Sequence, residues 1–236
     1  MKTSFGLFFT RPFRDAFAGL EKQLEGASGL RGLILSTLSL VISWWIYVPI
    51  HELLHAFGCW VTGGTVTELM IARKYGGDLL AKLFPFVVGG GDYAGRLTGF
   101  DTGGSDLVYL ATDFMPFVLS VFPGVLLLRL CMDRRSPFLF GAALILGFAP
   151  LYNFSGDFFE MGSILVTRLA GADYYFVRSD DVFRLMGELA DAGETRVVAY
   201  GLVAASFAVA VLLSFATYAL GRWVADKILL RRADSV

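Results

Sequence analysis

The chain holds two histidines, His51 and His55, standing four residues apart in Ile50-His51-Glu52-Leu53-Leu54-His55-Ala56. At 3.6 residues per turn this spacing puts both imidazoles on one face of a helix, from which they can reach a single zinc ion. Glu52 projects from the same turn but beside that line, where it can take a proton from water without being spent as a ligand. The pattern is that of metal-assisted hydrolysis. A catalytic zinc with two histidines needs a third protein ligand and an open position. Cys59 and Cys131 both fall in apolar segments and read as small buried hydrophobes, so a carboxylate is the expected third ligand. Asp157 is the first candidate, because the break at Pro150 and Gly156 frees the backbone to bend. Glu160 shares its face one turn on, and Asp113 is a third choice. Asn153 reads either as a group that orients a substrate or as a helix C-cap. The plainer alternative for the histidines is a structural pair bonded to backbone carbonyls. Against it stands the cost of ionisable groups in apolar surroundings, which marks them as functional.

The elements around these residues are apolar. Hydrophobic residues make up 56% of the 236, mean hydropathy is +0.62, and the apolar residues come in blocks rather than stripes. This composition is that of a multi-pass membrane protein. With a net charge of −1 and no basic tract, nothing points to nucleic acid. The expected fold is an all-α integral membrane bundle of about four transmembrane helices. Spans are expected near residues 32–61, 106–131, 137–169 (broken near 150–157) and 197–221. The first would be about 45 Å long against the ~30 Å hydrocarbon core. Pro49 predicts a kink just ahead of the motif, and Trp44, Trp45 and Tyr47 read as an interface belt. A small β-hairpin-like insertion is expected in the Gly-rich region 63–104. Its first strand would cover 65–71, and a second would cover 79–88, confined to an edge by Pro85. Such an edge could take up an extended peptide.

Residues 1–30 read as an interfacial segment, with a helix beginning at Pro12 and an apolar stripe of Phe13, Phe17, Leu20 and Leu24. That helix would lie in the headgroup layer or pack on the bundle. The run Phe5–Phe9 is too short for a signal peptide and is cut off by Arg11. Ser179 is expected to cap a short helix carrying Val182, Leu185, Met186 and Leu189. In the last span Gly201, Ala205 and Ser206 would allow close helix contact. Residues 31–222 thus form the membrane-embedded domain and 223–236 a basic tail. The distribution of arginine and lysine places both termini in the cytoplasm of a cell (inner) membrane. Arg73, Lys74, Lys82 and Arg96 would then face outward or lie at the membrane.

In their order, these elements resemble the site-2 protease family of intramembrane zinc metalloproteases. An apolar span carrying His51-Glu52-Leu53-Leu54-His55 is followed by a Gly-rich strand-like region, a second span, and a broken third span with Asn153 and Asp157. The chain resembles a divergent member. Pro150 precedes Asn153 and Gly156 precedes Asp157, where the family motif runs Asn, two residues, Pro and later Leu-Asp-Gly. The resemblance implies that His51, His55 and Asp157 hold zinc and that Glu52 activates water. It implies hydrolysis of a peptide bond in or near a transmembrane segment of a membrane-protein substrate. The expected cofactor is zinc, and the expected partners are a membrane protein or peptide and the lipid bilayer. The competing class is a non-proteolytic metal-binding membrane protein or scaffold, or a cation transporter using His51, Glu52, His55, Asp157 and Asp113 as a path. The few spans and the lack of an internal repeat count against it.

Overall fold

A computed structural model describes residues 5–25, 28–171 and 196–233. It contains α1 (Phe5–Leu24), α2 (Gly29–Val61), β1 (Thr65–Ile71), a 3-10 turn (Arg73–Tyr75), α3 (Gly77–Leu80), β2 (Val87–Gly89) and β3 (Gly95–Asp101). Then come α4 (Asp106–Phe114), α5 (Val125–Asp133), α6 (Pro137–Tyr152), α7 (Asp157–Leu169) and α8 (Arg196–Ala233). Among the described residues four helical stretches are long and apolar enough to cross a membrane: Gly29–Val61, Asp106–Asp133, Pro137–Leu169 and Tyr200–Leu230. The chain divides into two units, Met1–Phe148 with Tyr218–Val236, and Ala149–Thr217.

In the first unit α2 carries the sheet. Leu69, Ile71 and Val87 are buried against Ala56, with Leu53, Leu97, Phe84 and Phe86 packed around them. The expected hairpin is corrected to a three-stranded sheet of order β2-β1-β3. β1 is central, parallel to β2 (Leu69 opposite Val87) and antiparallel to β3 (Leu69 opposite Leu97). Most of 79–88 is not strand. Gly76, at φ 84°, opens the helical turn α3, and the chain turns on through Phe84, whose N–H bonds the Leu80 carbonyl. Pro85 offers no N–H, so pairing begins only at Val87. β2 is an edge strand, as the proline required. β3 escaped the sequence reading because Gly95 and Gly99 interrupt its pattern, and glycine is depleted in strands.

α4 continues through a 3-10 turn (Met115–Phe117) and a π-helical turn (Ser120–Gly124) into α5. Gly58 lets α2 and α4 touch. A Cβ there would lie 2.7 Å from Met115 Cβ and 2.8 Å from the Ala111 carbonyl oxygen. α1 begins at Phe5, ahead of the expected Pro12, which lies inside the helix. Phe13 and Phe17 of its apolar stripe point outward, Phe17 being 69% exposed, whereas Asp15 and Gln23 are buried. Both of these buried groups are bonded. Asp15 accepts from Tyr218 Oη at 2.9 Å and pairs with Arg222. Gln23 donates to the Cys131 carbonyl at 2.9 Å and accepts from the Ser136 N–H at 2.6 Å.

In the second unit the end of α6 gives way to a break over residues 153–156, after which α7 starts at Asp157. Gly156, at φ −110° and ψ −114°, turns the chain. Gly162 brings α7 against α8, since a Cβ there would meet the Ser206 carbonyl and lie 3.2 Å from Ala210 N. Close contact is therefore made at Ser206 and Ala210, while Gly201 and Ala205 are exposed. The buried hydroxyls of Ser206 and Ser214 bond their own helix's Leu202 and Ala210 carbonyls. The expected helix over 182–189 lies outside the described residues. α8 stays helical to Ala233, into the segment read as a tail.

Candidate metal centre

His51 and His55 project from one face of α2, both buried, at 7% and 8% exposure. Their Nε2 atoms are 3.1 Å apart, and their rings stand edge to face with centroids 4.7 Å apart. Two nitrogens each 2.0–2.1 Å from a tetrahedral zinc would be separated by about 3.3 Å, so the pair is set for one ion.

Each imidazole is held from behind through Nδ1. His55 Nδ1 lies 2.8 Å from the Thr112 carbonyl. A carbonyl only accepts, so Nδ1 carries the hydrogen and Nε2 presents its lone pair. That carbonyl is available for a local reason. The helical N–H that would reach it belongs to residue 116, which is proline. The neighbouring Met115 N–H bonds the Ala111 carbonyl instead. Gly58, one turn beyond His55, provides the close approach of α4. His51 Nδ1 lies 2.9 Å from Tyr47 Oη. The phenol can donate or accept, so His51 can take whichever tautomer frees Nε2. Tyr47 is thus corrected from an interface aromatic to a buried partner of the motif, at 4% exposure.

His51, His55 and Asp157 each offer a ligand atom, and these atoms all lie within 4.8 Å of one another. Among the described residues this is the group of His, Cys, Asp or Glu side chains so arranged. Two imidazoles and one carboxylate match the donor set of a three-ligand catalytic zinc site, so the residues present fit the metal. The other candidates are not in this group. Asp113 is buried in α4 beside Thr112, and Glu160 lies half-buried in the first turn of α7; neither belongs to the group. Asn153 donates Nδ2 to the Ala149 carbonyl at 3.1 Å, which is the helix-ending role offered as its alternative. Cys59 is fully buried with Sγ toward the Thr65 carbonyl at 3.6 Å, and it acts as core.

Glu52 is outside the ligand group and half-buried against the start of β3. A Cβ on Gly95 would run into Glu52 Cγ and Cδ and lie 2.9 Å from Oε2. Gly95 therefore makes room for the glutamate next to the candidate ligands. Sequence reasoning missed Tyr47, Thr112 and Gly95. Tyr47 had a signal in its four-residue spacing from His51, and Thr112 had one in Pro116 four residues later. Nothing local marks Gly95. Comparison of the chain with protein-family models, with curated proteins and with solved structures returns no match.

Proposed function

We propose that the chain is an intramembrane zinc metalloprotease of the site-2 protease type, hydrolysing a peptide bond in or near a transmembrane segment. The observation that carries this reading is the convergence of donor atoms from His51, His55 and Asp157, with Glu52 beside them but not among them. A zinc ion held by these residues supplies a Lewis acid that polarises a peptide carbonyl and acidifies water. Glu52 acts as general base on the attacking water and then passes the proton to the leaving nitrogen. The Thr112 carbonyl and Tyr47 fix the two imidazoles so that neither ring turns away. β3, an edge strand beginning at Gly95 beside Glu52, offers a line on which an unwound peptide pairs next to the base. The protein is then a multi-pass component of a cell membrane with cytoplasmic termini.

The test compares membrane proteins of cells making the natural chain and the Glu52→Gln form. A precursor that accumulates uncleaved with Glu52→Gln supports the reading. Identical processing of every membrane protein in the two cells overturns it.

A further inference from the structure

The face of the sheet turned away from α2 holds a cleft that the metal centre does not use. Along β1, Leu69 and Ile71 pack toward Ala56 of α2, so Met70 between them points to the opposite face. Arg96 stands level with Met70 across the β1–β3 ladder and shares that face. With Thr98 and the turn through Asp92 and Tyr93, these two side chains line a cleft of about 340 Å³. Met70 is half-buried beneath Gly91, whose missing side chain leaves room for the Met70 sulfur at a φ of 90°. The Tyr93 ring is 54% exposed and stands 5.7 Å from the Arg96 guanidinium. Asp92 offsets the charge of Arg96. The Thr98 hydroxyl donates to Glu68 at 2.6 Å. A thioether and a phenol ring therefore form the apolar walls.

The backbone determines what can reach this cleft. Ala72 N–H donates to the Ala94 carbonyl at 3.0 Å, whereas Leu69 N–H turns the other way, to the Phe86 carbonyl at 2.7 Å. Successive residues of a strand point their N–H and C=O to alternate sides. In register, Ala94 and Arg96 bond β1, while Gly95 and Leu97 present N–H and C=O to the open edge of β3. An extended peptide paired at that edge alternates its side chains between the two faces. The side chain level with Gly95 falls on the α2 side, where Glu52 lies against Gly95. Its neighbour, level with Arg96, falls on the opposite face and enters the cleft.

We propose that this cleft is a specificity subsite for a large aromatic side chain of the substrate, carried by the residue next to the one over Gly95 and Glu52. The Met70 sulfur and the Tyr93 ring pack against the aromatic ring, and the Arg96 guanidinium reaches its π-system. The proposal rests on the reading of β3 as the edge that pairs with substrate, and it uses no step of the hydrolysis.

The probe is a blocked heptapeptide of alternating threonine and valine whose central residue is phenylalanine, glycine or aspartate. Binding to the full chain in detergent micelles is measured by calorimetry, with cleavage of the same peptides and zinc content followed in parallel. The phenylalanine peptide is expected to bind about 10-fold more tightly than the glycine peptide, the effect of removing one aromatic ring from water. Tyr93→Ala brings the two peptides close to parity at unchanged zinc content, and Tyr93→Phe keeps the preference. Where the peptide is cleaved, Tyr93→Ala raises KM and leaves kcat alone. A preference in binding without cleavage upholds the subsite and removes the hydrolytic reading, whereas cleavage without a preference does the reverse. Binding of none of the peptides, tightest binding of the aspartate peptide, or a preference that survives Tyr93→Ala overturns the proposal.

Discussion

Pro116 and Gly95 shape the proposed centre without belonging to its ligand group, one through an absent N–H and the other through an absent side chain. Pro116→Ala restores an amide that competes with His55 for the Thr112 carbonyl. Loss of such an outer partner typically costs 10–100-fold in metal affinity. Zinc titration of the Pro116→Ala chain is therefore expected to show weakening of about that size, and unchanged affinity would remove the carbonyl from the account. Tyr47→Phe removes the partner of His51 Nδ1 and is expected to weaken zinc by a similar ~10-fold. Gly95→Ala behaves differently, because its methyl group collides with Glu52 rather than with a ligand. The chain is expected to keep its zinc while losing cleavage, a split that zinc analysis and a cleavage assay on one sample would reveal. The motif residues themselves were legible, since two histidines and a glutamate at helical spacing have few other uses. Their supports were not, because a backbone carbonyl and a missing side chain leave no residue type to recognise.

Among the elements, α2 positions both the histidine pair and the sheet, and its contact with α4 is set by Gly58. Replacing Gly58 with valine would press on Met115 Cβ and the Ala111 carbonyl. Overpacking of this kind costs about 1–3 kcal/mol. Thermal unfolding in detergent is expected to show that loss together with weaker zinc binding, since the same contact brings Thr112 to His55. Helices were readable from apolar blocks, and the break before Asp157 from Pro150 and Gly156. The helix ends where Asn153 bonds Ala149, three residues beyond the proline. The sheet was half legible. β1 has the branched, alternating residues of a strand, whereas β3 carries glycines required by neighbours that only the fold supplies. Pro85 correctly signalled an edge but could not say that its strand would shrink to Val87–Gly89 and pair in parallel.

Among the described residues an apolar core is joined by an apolar exterior, unlike the surface of a soluble domain. Large apolar residues such as Phe17, Leu30 and Ile34 are exposed, while Asp15, Gln23 and several serines are buried. In the first unit Arg222 joins the buried Asp15 and Tyr218, and Arg129 pairs with Asp226 at 3.1 Å, tying α1 and α5 to the end of α8. Removing one partner of a buried pair costs about 3–5 kcal/mol. Asp15→Ala is therefore expected to lower the unfolding temperature markedly, and an unchanged transition would show the network to be dispensable. Hydropathy announced the apolar exterior, but pairings between residues some two hundred positions apart leave no local trace.

The account turns on Glu52 moving a proton beside a metal it does not bind. Cleavage of a transmembrane peptide substrate by purified natural chain and Glu52→Gln chain, compared at equal zinc content, tests this directly. General base catalysis is worth about 10²–10⁴-fold, so the glutamine form should hold its zinc and lose activity by that factor. Equal cleavage rates at equal zinc would contradict the account.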